Sequence, residues 1–333
     1  MRKWQLLGAG VFLFAALFIP LLVPTDYTLQ ILFRVFLFAA LGLAWNLVGG
    51  YAGQLSLGHA AYFGVGAYGL ALFSKLGISP WASLLLGVVL AMISAAMIGT
   101  VSFRLRGPYF ALCTIAFAEV LRLVAKNLPN VTGGDVGVQV PLLFTHSTIR
   151  AFYWSAVFLT AFALALSAWI ERSRFGYYLM AIREDQDTAL SVGVDAARCK
   201  LWALVISAAI TGFGGTLYAS MFLFIVPDQV LAMDISTEIA IVAMLGGAGS
   251  LIGPLVGSVV LESASEIFKN VFKEAHLLIY GVLIVVVVLF MPEGIVGTVT
   301  RKLAFFKNSP TAPFAAPVPP TAEEESERIA LNE

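Results

Sequence analysis

The chain has unusually little charge. Only 12% of its residues are Asp, Glu, Lys or Arg, against about 25% in soluble globular domains. Apolar residues make up 59% of the chain, and the mean hydropathy is +0.90. This composition excludes an ordinary soluble domain. Apolar runs of about 18 residues or more recur along the sequence, and such runs predict membrane-spanning helices. The sequence therefore predicts an all-α, polytopic integral membrane protein.

Several kinds of site are also missing from the sequence. The formal net charge is zero and no long run of basic residues occurs, which argues against nucleic acid as a partner. His59, His146 and His276 are scattered without metal-ligand spacing, and no catalytic motif is present, so we expect neither a metal site nor an enzyme. No phosphate-binding loop with its lysine occurs, so ATP is not expected to bind this chain. Cys113 and Cys199 should lie at different depths, which argues against a disulfide.

Eight apolar runs predict full spans. The first is expected to be a retained span, because it is longer than a signal peptide's apolar region and ends without a small-residue cleavage site. The eight lie at 5–23, 29–48, 59–76, 81–101, 109–126, 152–170, 201–225 and 277–291.

Region 236–268 differs from these runs, because glycines and a proline interrupt its apolar residues. It predicts a broken hairpin of two short helices, with backbone groups that must face protein or water. We expect residues 1–307 to form one transmembrane domain of about eight full spans plus this hairpin. The Pro/Ala/Glu-rich residues 308–333 are expected to be a disordered tail.

Basic residues near the ends of the runs predict the orientation of the chain. Clusters of Lys and Arg lie in the ranges 2–3, 104–106, 172–200 and 301–307, and such clusters favour the cytoplasmic side. An even number of crossings separates each cluster from the next if 236–268 crosses twice or re-enters. Both termini are therefore predicted to be cytoplasmic, and segment 127–151 is predicted to lie outside.

The polar loop at 171–200 holds ten of the 40 charged residues. Its segment 177–192 lacks Gly and Pro, and Leu179, Ile182 and Ala189 recur at helical spacing opposite a charged face. This pattern predicts a short amphipathic helix that ends near Gly193. Docking to a partner is favoured over simple rest on lipid headgroups, because acidic residues in its middle would be repelled by anionic lipids.

Four motifs in order resemble the permeases of bacterial ABC importers for branched-chain amino acids. They lie at 49–60, 132–137, 181–193 and 246–254. The third contains Ala181, Arg183 and Glu184, followed by Ala189 and Gly193. The resemblance covers roughly residues 30 to 295 and is best with the longer of the two permeases that such importers pair. The chain departs from it at 185–188, where more Ala and Glu would be expected.

The resemblance implies partners and functional residues. The partners would be a second permease, two cytoplasmic ATP-binding subunits that hold ATP and magnesium, an extracytoplasmic solute-binding protein and an amino-acid substrate. The chain itself would bind no cofactor and would lie in the bacterial inner membrane. Coupling to the ATPases would fall on Arg183, Glu184, Ala189 and Gly193. We expect a bulky charged residue at Ala189 to uncouple ATP hydrolysis from uptake.

Glycines and polar residues around the breaks are further candidates. The glycines predicted to be structural or to act in gating are Gly53, Gly58, Gly247, Gly249 and Gly253. The polar residues predicted to line the translocation path are Asn46, Gln54, Ser56 and His59, although a structural role for His59 is an open alternative.

Charged residues also lie within or beside the apolar runs. Glu119 and Arg122 can pair on one helical face, as a structural ion pair or as part of a path. Glu262 and Glu266 share a face with Lys269, which predicts an exposed or interfacial helix end. The motif at 132–137 is either a contact for the binding protein or an ordinary turn.

Two other functions are compatible with the sequence. An ion-gradient-driven secondary transporter would need acidic residues on broken helices, for which Glu119 and Glu238 are the candidates. An importer of the same permease family for urea or amides is the second.

Overall fold

A computed structural model describes residues 16–20, 25–105, 107–144, 149–272 and 294–307, with the isolated positions 10, 281 and 285. Most of the two predicted spans at 5–23 and 277–291 lies outside these residues. The predicted tail at 308–333 lies outside them entirely. The chain divides into two compact units, Met1–Thr298 and Val299–Glu333. In the second unit, the described residues 299–307 are helical.

Where it is described, the first unit is a bundle of helices, and the last helix named below continues into the second unit. The longer ones are α1 (Asp26–Asn46), α2 (His59–Lys75), α3 (Pro80–Ser102), α4 (Pro108–Lys126), α5 (Ile149–Arg172), α6 (Arg174–Glu184), α7 (Gln186–Ser191), α8 (Ala196–Phe222), α9 (Met233–Gly246), α10 (Gly253–Phe272) and α11 (Gly294–Lys307).

Short helical turns and one pair of strands lie between these helices. A π-helical turn, Leu47–Tyr51, continues α1, and single turns lie at Pro129–Thr132, Gly134–Val136 and Pro227–Val230. Strand β1 (Val138–Gln139) pairs antiparallel with β2 (Phe224–Ile225).

Six described segments are long and apolar enough to span a membrane, so the predicted number of about eight full spans is not confirmed. Helix α2 has 17 residues, short for a bilayer core that needs about 20. Helix α10 carries Glu262, Glu266 and Lys269 within its length. The six are Asp26–Tyr51, Pro80–Ser102, Pro108–Lys126, Ile149–Arg172, Ala196–Phe222 and Pro227–Gly246.

Small residues let the central helices approach closely. Helix α8 packs on α2 and α3, and α1 packs on α5 and α10. A Cβ atom on Gly66 would lie 2.2 Å from the carbonyl oxygen of Gly212, and one on Gly69 would lie 2.4 Å from the Cα of Gly87. Helices in lipid associate through such close backbone packing, since lipid offers no hydrophobic driving force between them. These glycines therefore hold α2 against α3 and α8.

The region predicted as a broken hairpin contains two helices, α9 and α10, which pack against each other. Gly247 ends α9 with a φ of 124°, a value that residues with a Cβ rarely adopt. The six residues 247–252 then separate the helices. The break falls at the glycines, as the sequence predicts.

Candidate functional site

The two glycine-rich breaks meet at one side chain. Asn46, the last residue of α1, donates from Nδ2 to the carbonyl oxygen of Ser250 over 2.9 Å. Its Oδ1 accepts from the backbone N–H of Gly249 over 2.7 Å. Asn46 is fully buried, so its amide group is satisfied by the second break rather than by water. This one amide therefore fastens the end of α1 to the segment between α9 and α10.

Gly50 gives this junction its close fit. A Cβ atom at position 50 would lie 1.9 Å from Asn46 Oδ1 and 2.5 Å from the nitrogen of Gly249. Both distances are far inside van der Waals contact, so only glycine fits.

Arg183 joins the polar loop to the same junction. Its Nη1 donates to the carbonyl oxygen of Gly50 over 2.9 Å. A Cβ atom on Gly249 would lie 2.4 Å from Arg183 Nη1, and one on Gly53 would lie 3.0 Å from Arg183 Cγ. Arg183 thus lies against both breaks. The structure brings this predicted coupling residue together with two of the predicted glycines, Gly53 and Gly249, and with Gly50.

Other predicted residues lie away from Arg183. The side chain of Glu184 is exposed. Gly193 follows α7 with a φ of 89° and has open space around its Cα. Gly58 lies against Thr114, where a Cβ would be 3.0 Å from the threonine Cβ. Gly253 lies against Gly246 at the start of α10, where a Cβ on Gly246 would be 1.8 Å from its carbonyl oxygen.

The predicted single helix at 177–192 is wrong in one respect, because Asp185 divides it. Asp185 has extended backbone angles, and its side chain accepts from the N–H of Thr188 over 2.6 Å, which caps the start of α7. That backbone hydrogen bond lowers the pKa of the Asp185 carboxyl. An aspartate three residues before Thr188 is an N-cap signal in the sequence itself.

A second polar contact seats α7. Lys200, near the start of α8, donates from Nζ to Gln186 Oε1 over 2.6 Å, and its side chain is only 2% exposed. The residues that depart from the family pattern, Asp185 and Gln186, therefore have structural partners within this chain.

The small face of the loop packs inward. Leu179, Ile182 and Ala189 are buried, and Ile182 and Ala189 form one cluster with Ala196 at the start of α8. The exposed face carries the residues that a partner could touch: Tyr177, Tyr178, Ala181, Glu184, Leu190 and Val192. Any docking to a partner would therefore use this exposed face.

The inward position of Ala189 changes what its substitution should do. We expect Ala189→Glu to destabilise the loop and the assembled complex, because a carboxylate would be forced into an apolar cluster at a cost of about 1–3 kcal/mol or more. The matched control is Ala181→Glu on the exposed face, which should leave the loop protease-resistant and lower only ATPase docking. Limited proteolysis of the loop and co-purification of the ATPase subunits would measure the two effects. An Ala189→Glu complex as protease-resistant as the unmodified one would contradict the expectation.

Ser56 and His59 form a second cluster inside the bundle. His59 Nδ1 lies 3.2 Å from Ser56 Oγ, and its Nε2 lies 2.9 Å from Ser207 Oγ on α8. The imidazole is fully buried and meets the ring of Tyr62 edge-on. This arrangement matches the structural alternative for His59, and Ser207 was not identified from the sequence.

The remaining path candidates are separated from this cluster. Asn46 points into the junction described above. Gln54 is partly exposed, and its backbone N–H donates to the carbonyl oxygen of Val48 over 2.9 Å. A role for the four residues in the translocation path stays a prediction.

Glu119 and Arg122 form the predicted ion pair, with Arg122 Nε donating to Glu119 Oε2 over 2.9 Å. The pair extends to further residues at the end of α4. Arg122 also contacts Asp228, and Lys126 Nζ lies 2.8 Å from Asp228 and 3.2 Å from Asp135. Asp135 belongs to the glycine-rich turn at 132–137, so this turn is tied to α4.

A second charged cluster corrects the assignment of Glu262. The sequence pattern predicts an exposed or interfacial helix end, yet Glu262 is only 4% exposed. Its Oε2 lies 3.3 Å from Arg34 Nε on α1, and Arg34 Nη2 lies 3.6 Å from Glu238 on α9. Arg34 was overlooked because it lies within an apolar run and its partners are distant in sequence.

Metal binding finds no support in the described part of the chain, where no group of three His, Cys, Asp or Glu residues is placed to hold an ion. Cys113 and Cys199 are both free thiols.

Comparison with known proteins assigns this chain to a family. The profile of the family described as "Branched-chain amino acid transport system / permease component" matches residues 27–288. The permease protein LivM of the high-affinity branched-chain amino acid transport system of Salmonella typhimurium is 31% identical, over 78% of this chain and 67% of that protein. LivM of Escherichia coli K12 is 29% identical, over 84% and 72%. LivH of the same organism is 26% identical, over 78% and 91%. No solved structure matches the chain.

Proposed function

The chain belongs to the permease family of branched-chain amino acid ABC importers, and from this premise we propose that it imports branched-chain amino acids together with a second permease. It is a transport subunit and a multi-pass inner-membrane protein. We propose that both termini lie in the cytoplasm and that two ATP-binding subunits dock on the exposed face of α6 and α7. A solute-binding protein would deliver substrate on the opposite side. ATP and magnesium would be held by the ATP-binding subunits.

The hydrogen bond from Arg183 to Gly50 carries this proposal. This hydrogen bond joins the polar loop to the break that follows α1 and to the break between α9 and α10. The same loop has an exposed face on which a partner can dock. Asn46 links the two breaks to each other. A displacement of α6 by an ATPase would therefore move both breaks together, and the helices that end at them would follow. Such a linkage suits alternating access, in which groups of helices rock around a central site.

The polar clusters bear on the ion-gradient alternative. A free carboxylate on a broken helix would favour it, but Glu119 pairs with Arg122, and Glu238 lies 3.6 Å from Arg34. Both carboxylates have a cationic partner within the chain. This observation favours an ATP-driven importer.

The test is uptake into proteoliposomes that contain this chain, its second permease and the ATP-binding subunits, with the binding protein present. We expect uptake of labelled L-leucine that requires ATP and is inhibited by isoleucine and valine but not by urea. ATP-independent uptake driven by a proton or sodium gradient would refute the proposal. Inhibition by urea or acetamide alone would instead assign the urea and amide class.

A further inference from the structure

A cavity of about 240 Å³ opens beside the middle of α4. Helix α4 contributes Ile115, Ala118 and Glu119 to its lining. Leu57 lines it from the segment between the π turn and α2. Leu231, just before α9, and Met233, the first residue of α9, complete the wall. Five of its six lining residues are apolar, and the sixth is a carboxylate. Pockets for drug-sized ligands measure about 300–1,000 Å³, so this cavity suits a smaller solute, of the size of one amino acid.

The charge at the cavity suits an ammonium group. Glu119 is 43% exposed, and each of its oxygens accepts one hydrogen bond from Arg122. A carboxylate oxygen has room for a further donor, so an ammonium can bind without breaking the ion pair. The apolar residues around it would then cover an aliphatic side chain.

A stripe of charge leads to the cavity from the end of α4. Glu119, Arg122 and Lys126 share one face of the helix, and Asp228 and Asp135 lie against that face. These five residues carry three negative and two positive charges, a net charge of minus one. A zwitterion could exchange its ammonium among the acids and its carboxylate between Arg122 and Lys126 as it moves inward.

The position of the cavity also suits transport. Residues 115–119 lie halfway along the apolar helix α4, and transporter binding sites lie near the bilayer midplane. Leu57 follows the first glycine-rich break, whose Gly50 accepts the hydrogen bond from Arg183. The same short segment therefore contacts the cavity and the coupling loop.

We propose that this cavity is a transient binding site for an aliphatic amino acid, with its ammonium on Glu119 and its side chain against Leu57, Ile115 and Ala118. The inference rests on the proposed function and adds the place at which the solute binds within this chain.

The test compares two alanines on α4 in the reconstituted importer. Ala118 lines the cavity, whereas Ala116 is exposed on another face of the helix. We expect Ala118→Leu to raise the KM for labelled L-leucine by about tenfold or more, because the added carbons occupy the space that the aliphatic side chain of the solute would fill. The KM for the smaller L-valine should rise less. Ala116→Leu should leave both values unchanged.

A second variant tests the cavity site if the Ala118→Leu complex does not assemble. Glu119→Gln keeps the size of the side chain and removes its charge, so the KM for leucine should rise in the assembled complex. Glu119→Asp should recover part of the loss. An unchanged leucine KM in an assembled Ala118→Leu complex, or in Glu119→Gln where the former fails to assemble, would overturn the cavity site. Absence of leucine uptake by the unmodified importer would instead overturn the proposed function.

Discussion

Replacing Arg183 with methionine is expected to lower leucine uptake about tenfold or more while ATP hydrolysis by the partner subunits continues. Methionine keeps an unbranched apolar stem but cannot donate to the carbonyl oxygen of Gly50. A hydrogen bond from a charged group contributes about 1.5–3 kcal/mol, and about 1.4 kcal/mol corresponds to a tenfold change in an equilibrium. Losing it would separate the movement of α6 from that of the two breaks.

The measurement is the ratio of leucine transported to ATP hydrolysed in proteoliposomes. Arg198→Met is the matched control, because Arg198 lies in the same polar loop region, is 82% exposed and pairs with its neighbour Asp195. It should leave the ratio unchanged. Equal ratios for Arg183→Met and the unmodified importer would show that the hydrogen bond does not transmit motion. A fall in ATP hydrolysis matching the fall in uptake would point to lost docking instead.

Replacing Arg34 with methionine is expected to destabilise the permease by an amount near the lower end of about 3–5 kcal/mol, the cost of removing one partner from a buried ion pair. The reason is that Glu262 is 4% exposed and would lose the cation that lies 3.3 Å away. The 32% exposure of Arg34 lowers the cost, because solvent screens part of the interaction.

The double variant Arg34→Met and Glu262→Met makes this prediction sharper. Exchanging both members of a buried pair for apolar residues of similar size is often neutral. The double variant should therefore recover part of the lost stability but not all of it, because Glu238, which lies 3.6 Å from Arg34, still loses its cation. The midpoint of thermal unfolding in detergent is measured for Arg34→Met, Glu262→Met and the double variant, and exposed Lys75 changed to methionine is the control. Additive losses in the double variant would mean that the two residues do not interact.

The helices of this permease could be predicted closely from the sequence. The runs predicted at 81–101 and 109–126 correspond to Pro80–Ser102 and Pro108–Lys126. Apolar length is a local property, and a proline at the first turn marks the start of a helix. The break between α9 and α10 was predicted at its glycines for the same reason. The interruption at Asp185 was missed although its capping signal is local.

The site was only partly predictable. The motifs identified Arg183 and the glycines, and Asn46 was a candidate for the translocation path, but the sequence did not reveal that these residues touch one another. The pattern around Ala189 identified a small face without showing that it packs on this chain rather than on a partner. Ser207 and Arg34 carry no motif, so their contacts with His59 and Glu262 were not expected.

The sequence alone therefore determined that this is a helical membrane permease, where its helices run and which segments interrupt them, because hydrophobic length and glycine placement act over a few turns of chain. Tertiary structure alone decided that Arg183 reaches Gly50, that Asn46 joins the two breaks, and that Arg34 finds Glu262. A polar group takes whichever partner packing brings within hydrogen-bonding distance, and in these contacts that partner is distant in the sequence. The scarcity of charge makes these few contacts the more consequential, since each one must be satisfied inside an apolar bundle.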